Sequence, residues 1–179
     1  LLSSPPDRYS PLSGRDLIEA KVKALVLTGG MFVPEDKPEY NVRMDVAAAR
    51  AVFDGWPAPV IVSPGEVGSR VQYPSSCIEN DFRWSDAHPV VESYRAFKPM
   101  PYDRNCWDLM AVLYAVEGEC GDYFNLSPRG RIGVTDEGFT SFEYDPSGRV
   151  RYLQVQDEQI ARIKSRFLEL TTLKPKIYE

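Results

Sequence analysis

Apolar positions in this chain fall into short continuous runs separated by helical stripes. The run VKALVLT at 22–28 is unbroken rather than alternating, which predicts a β-strand covered on both faces. It stops at Gly29-Gly30. From Asp45 the spacing of MDVAAARAVFDG predicts a helix ending near Gly55, with Asp45 as its N-cap. PAPVIVSPG at 57–65 reads as a second buried strand. Strand, helix, strand in that order predicts a βαβ unit and a parallel sheet. Ser13 is placed to cap a helix over 14–21, after a proline-rich loop at 3–14. Further helices are predicted at 89–97, with Pro89 at the first position, and at 107–116. His88 reads as the end of the preceding loop.

Beyond residue 120 the pattern changes. GRIGVT, FTSFEYD and RVRYLQV predict three short strands turned at DEG and DPSG. A last helix is predicted over 157–170, with Ile160, Ile163, Phe167 and Leu170 on one face. The stretch 71–88 has little periodicity, and its Tyr73, Phe82 and Trp84 read as surface packing or as contacts to a ligand's ring. The whole, 1–179, therefore reads as an open, mostly parallel α/β sheet flanked by helices. Residues 1–120 form its core portion, and 121–179 form a small antiparallel element with a C-terminal helix, closer to an appendage than to a second domain.

Composition narrows this reading. The chain of 179 residues has 21 basic and 26 acidic side chains and a net charge of -5, which gives no electrostatic case for a nucleic-acid or lipid partner. No run of 18 apolar residues occurs, so no membrane span is predicted. Cys77, Cys106 and Cys120 share no close spacing and suit a reducing, cytoplasmic setting better than a disulfide framework or a zinc motif. The first residue is leucine, which hints at a longer parent chain.

In a parallel sheet, sites form beyond the carboxyl ends of the strands. Glu39 and Asn41 follow the first strand, Glu66 follows the second, and Asp108 opens an apolar helix whose N-terminus faces the same way. A carboxylate beside an amide can clamp vicinal hydroxyls, and oxygen ligands suit a hard cation. Each residue also has a purely structural reading. The paired glycines make a turn, Asp108 caps its helix, Glu66 orders its loop, and Trp107 belongs to the core or to a pocket mouth. TGG is not followed by the Lys-Ser/Thr of a phosphate loop.

Together, KVKALVLTGGMF, PEYNVRMDVAAARAVFDGWPAPVIVSP and NCWDLMAVLYAVEG resemble the inosine/uridine-preferring nucleoside hydrolases. That family has a strand ending in Met-Gly-Gly, then Glu-x-Asn, then Asp-x-x-Ala-Ala, and later a His-Asp or Trp-Asp pair opening a helix. The counterparts here are Thr28-Gly29-Gly30, Glu39-Tyr40-Asn41, Asp45 to Ala49, and Trp107-Asp108. The resemblance implies hydrolysis of the N-glycosidic bond of ribonucleosides by a calcium-activated water. Asp108 would be a catalytic calcium ligand that also touches ribose. Glu39 and Asn41 would bind ribose hydroxyls, and Trp107 would offer a purine a stacking face; Glu66 joins the substrate-binding residues from its place after the second strand alone. Relatives are often oligomeric, so the resemblance implies a homo-oligomer.

The family's aspartate cluster, which supplies most calcium carboxylates and the general base, lies at the start of its fold and has no counterpart in this sequence. Trp107 stands where some members have a histidine, and an indole cannot act as an acid for the leaving base. Two accounts follow. In one, the chain is the later portion of a hydrolase that needs a further N-terminal segment. In the other, it is a catalytically inactive nucleoside- or sugar-binding or structural protein of the same fold.

Overall fold

The structure, a computed structural model, describes residues 1–118 and 122–176. Cys120 lies outside the described residues. Helix α1 (Gly14–Lys21) starts as the sequence predicts. Ser13 Oγ accepts the Asp16 N–H at 3.2 Å, and the Asp16 carboxylate reaches back to the Ser13 N–H at 3.3 Å. Strand β1 is Leu25–Thr28, shorter than the apolar run, and all four of its residues are half-buried rather than buried. The polypeptide then forms two helices where one is predicted: a single-turn α2 (Tyr40–Met44) and α3 (Val46–Gly55). Asp45 divides them. Its backbone is extended (φ -151°), and its Oδ1 accepts the Ala48 N–H at 2.9 Å, so it caps α3 as expected.

Strand β2 (Val60–Ser63) is buried throughout and runs parallel to β1, with Leu25 opposite Val60 and Thr28 opposite Ser63. A short α4 (Gly65–Gly68) follows, and β3 (Gln72–Tyr73) and α5 (Ser75–Asn80) lie in the stretch without periodicity. Elements of two to six residues are too short to display a period. They still supply core: Val71, Tyr73, Cys77, Ile78 and Phe82 are buried. Tyr73 and Phe82 are therefore interior side chains, neither surface packing nor ring contacts. Helix α6 (Pro89–Phe97) begins at Pro89 as predicted, and His88 Nδ1 caps it by accepting the Val90 N–H at 3.3 Å. Strand β4 (Arg104–Asn105) pairs antiparallel with β3 and leads into α7 (Trp107–Glu117).

After α7 come β5 (Asn125–Leu126), β6 (Gly130–Val134), β7 (Thr140–Tyr144), β8 (Val150–Gln154) and α8 (Asp157–Thr172). The antiparallel strands are present, but they are continuous with the main sheet, whose order is β1-β2-β8-β6-β7 with β5 on β8. The connection is β8, which pairs parallel with β2 (Val60 opposite Val150) and antiparallel with β6. Its Val150 and Leu153 are buried and give β2 the second neighbour that a strand covered on both faces needs.

Side-chain alternation divides the core into two layers. On one face Val60, Val62, Ile132 and Val150 pack with Leu25, Leu27 and Phe53, the last from α3. On the other, Ile61, Met110, Leu113, Leu153, Ile163 and Phe167 pack with Val26 under α7 and α8. Each fully buried side chain of this kind stabilises the fold by about 1.5–3 kcal/mol. On α8, Ile163 and Phe167 are inside, but Leu170 is 38% exposed. The buried face turns instead through Leu168 and Thr171, whose hydroxyl bonds the Tyr73 hydroxyl at 2.7 Å.

Helices α4 and α7 touch backbone to side-chain position at Gly68. A Cβ there would lie 2.6 Å from Trp107 Cα. Gly68→Ala is expected to destabilise the fold by about 1–3 kcal/mol through overpacking, measured by urea denaturation. A change below 0.5 kcal/mol would show that α7 moves away freely.

Candidate functional site

The carboxyl ends of β1 and β2 open into a cavity of about 570 Å³. Four of the five residues singled out from the sequence line it: Glu39, Asn41, Trp107 and Asp108. Glu66, the fifth, does not. Its Oε1 accepts the Phe32 N–H at 3.1 Å, and its Oε2 is buried without a partner among the described residues. Glu66 thus ties down the loop after β1, not only its own loop after β2.

The loop conformation begins at the paired glycines, and only the second requires glycine. Gly30 has φ +75°, a left-handed backbone, whereas a Cβ on Gly29 would meet only ordinary contacts. Gly30 donates its N–H to Glu39 Oε2 at 3.1 Å, and its carbonyl accepts the Gly65 N–H at 2.9 Å. Glu39 also accepts the Val42 N–H at 3.0 Å and the Asn41 N–H at 2.9 Å. One carboxylate therefore caps α2 and fastens it to the end of β1. Thr140 of β7 adds a second clasp: its hydroxyl accepts the Met31 N–H and donates to the Met31 carbonyl, both at 2.8 Å.

Asn41 Nδ2 donates to the Thr28 carbonyl at 3.4 Å, which holds the amide at the cavity wall. On the facing side Trp107 is 36% exposed, and its Nε1–H donates to Ser69 Oγ at 3.1 Å. Asp108 lies in the first turn of α7, where the helix dipole favours its negative charge. It is exposed and makes no hydrogen bond or ion pair with the described residues, so both oxygens are open to a ligand. Thr28, Glu35, Lys37, Ser69 and Arg104 also line the wall, and of these the sequence reading marks only Thr28. Arg104 sits on a two-residue strand within what reads as loop, its guanidinium 4.2 Å from the Phe97 ring centre. No periodicity marks such a position.

The cysteines play no part in this chemistry. Burial pushes the Cys77 thiol up to about 12 and the Cys106 thiol up to about 11, so neither supplies a thiolate at neutral pH.

A calcium ion takes six to eight oxygens. Among the described residues no group of three His, Cys, Asp or Glu side chains is placed to hold a metal. In the cavity Asp108 and the exposed Glu35 are free of hydrogen bonds with the described residues, whereas the Glu39 oxygens already receive three N–H groups. These residues do not make a calcium site.

The fold is that of nucleoside hydrolases. The chain is similar to the inosine-uridine preferring nucleoside hydrolase from Bacillus anthracis, at 18% identity and a TM-score of 0.57 over 86% of this chain and 54% of that one. It is similar to a plant nucleoside hydrolase at 19% identity and a TM-score of 0.57, over 86% and 55%. The chain thus spans about half the length of these structures. No protein-family model and no curated protein matches it. Among the described residues no helix is long and apolar enough to cross a membrane.

Burial raises the Glu66 carboxyl above its ordinary value of 4.5, with Glu35 adding to the shift. The folded protein therefore holds this proton more tightly than the unfolded chain does, and ionising it opposes folding. Its contribution to stability is expected to fall as pH rises from 4.5 through the raised value. Glu66→Gln should flatten that part of the stability profile, read by urea denaturation across the window. An unchanged slope would mean that Oε2 reaches solvent.

Proposed function

We propose that this chain forms the sugar-gripping half of a ribonucleoside N-glycosidase and corresponds to the C-terminal portion of the nucleoside hydrolase fold. The supporting observation is the convergence of Asn41, Glu39, Trp107 and Asp108 on one cavity at the carboxyl ends of β1 and β2. Asp108 accepts hydrogen bonds from vicinal ribose hydroxyls, and the Asn41 amide borders the same sugar face. An ionised Asp108 also stabilises the positive sugar that develops as the glycosidic bond breaks. In that reaction the C1′–N bond opens and its electron pair stays on the base, a water oxygen bonds to C1′, one water proton passes to the general base, and the departing base takes a proton from solvent. Trp107 offers a stacking face and no acidic proton. Arg104 and Lys37 are both cations of this cavity, and the Arg104 guanidinium can donate to a carbonyl oxygen of the departing base.

The general base and the remaining ligands of the calcium ion that the resemblance implies must come from outside residues 1–179. A second reading is a nucleoside- or sugar-binding protein without turnover. The engagement of Glu39 by three backbone N–H groups favours it, because that carboxylate is committed to the loop.

In NMR titrations of the 179-residue chain, D-ribose and inosine are expected to shift the amides of Asn41, Trp107 and Asp108. Asp108→Asn should weaken that binding by about 10–100-fold, as befits loss of a charged hydrogen-bond acceptor. With calcium present the chain alone should release no ribose from inosine. Ribose release by the chain alone would refute the incomplete site, and the absence of shifts with both ligands would refute sugar binding.

A further inference from the structure

Strand β1 is a sheet edge built like an interior strand. Leu25 and Gly29 donate inward, to Pro59 O at 2.8 Å and Ser63 O at 3.1 Å. Along a strand the N–H and C=O of one residue point to one side, and successive residues alternate. Val26 and Thr28 therefore present theirs to the free edge, since among the described residues β1 pairs with β2 alone. The Thr28 carbonyl is taken by Asn41 Nδ2, which leaves the Val26 N–H, the Val26 carbonyl and the Thr28 N–H facing outward. The segment LVLT carries no proline and no charge, the usual protections of a natural edge. At the opposite edge, β7 carries Glu143 and an exposed Tyr144.

The helices above and below β1 both leave apolar residues exposed. Helix α3 covers the Leu25 and Leu27 face yet buries none of its own residues, and Ala47, Ala48 and Ala51 are exposed. Helix α7 covers the Val26 face and leaves Val112 and Val116 58% and 75% exposed. An apolar groove of about 240 Å³ follows the edge between Leu27, Val42, Ala48 and Val52.

We infer that the β1 edge docks a parallel β-strand, apolar on both faces, from the remaining half of a nucleoside hydrolase-like α/β fold supplied from outside residues 1–179. Two solved structures that resemble this chain are covered over only 54% and 55% of their lengths, which leaves nearly half of that fold without a counterpart in residues 1–179. A parallel direction continues β1, β2 and β8, and a strand placed between α3 and α7 must be apolar on both sides. Thr28 and Asn41 line both the groove and the larger cavity. The docked strand therefore ends beside that cavity, and the loop after it reaches the open side of Asp108. This last step rests on the reading of the site given above; the docking itself does not.

The test links residues 1–179 by a flexible tether to the part of the Bacillus anthracis enzyme that the likeness leaves uncovered, which raises the local concentration of the partner half. Hydrogen exchange is then compared with that of the 179-residue chain alone. The Val26 and Thr28 amides and the 112–116 face of α7 are expected to exchange at least about tenfold more slowly in the chimera. Val26→Pro removes an outward N–H and leaves the bonds to β2 in place, so it should abolish this protection. Val112→Lys with Val116→Lys, both exposed, should do the same without touching the strand. Unchanged exchange, or protection that survives both variants, overturns the inference. So does a homodimer of the 179-residue chain protected at the same amides, because a second copy would then be the occupant. Docking without ribose release would leave this inference standing and count against the glycosidase reading alone.

Discussion

Three backbone N–H groups aimed at the Glu39 carboxylate hold the site end of the molecule together. Gly30 belongs to the exit from β1, and Asn41 and Val42 belong to the start of α2. Without that carboxylate a left-handed glycine and a five-residue helix would have no common anchor, and a helix of that length does not persist on its own. The geometry that follows is a consequence of this fastening. Asn41 stands at the cavity wall because its own N–H is held, and Asp45 opens α3 because α2 has ended. Gly65 can meet Gly30 because the turn is fixed. A side chain that looks like a ligand for a sugar hydroxyl is first a ligand for the backbone.

The opposite wall depends on a different constraint, the close approach of α7 to α4 at Gly68. Trp107 is set by that contact, and its indole N–H is committed to Ser69. Asp108, one residue on, is thereby turned outward with its oxygens free. The two walls thus differ in character. One is a carboxylate spent on order, and the other is a carboxylate kept available by the order around it.

Much of this was legible in the residues. Ser13 and Asp16, Asp45, and Pro89 at the head of α6 announce helix starts through side-chain chemistry that acts locally. VIVS and LVLT announce strands through unbroken apolar runs. The order of Glu39, Asn41 and Trp107-Asp108 placed those side chains at one sheet edge. What stayed hidden depends on distant pairing. Nothing within RVRYLQV says that its neighbour is β2, about 90 residues earlier, rather than its own hairpin partner alone. Glu66 was placed with the site by its position after β2, but the turn of its side chain toward Phe32 is a tertiary fact. Arg104, Thr140 and Ser69 reach the site region from a two-residue strand, a hairpin and a helix end, and no period or motif marks them.

The position of β8 bears on how the molecule is made. Its neighbours β2 and β6 precede it in the chain, yet β8 lies between them and follows all the other strands. While the chain is being synthesised, Val60, Ile61 and Val62 leave the ribosome long before Val150, Tyr152 and Leu153 exist to cover their open side. The sheet therefore closes only after residues 150–154 have been released. Until then an apolar strand is exposed to any other chain nearby, the interval in which chaperones act.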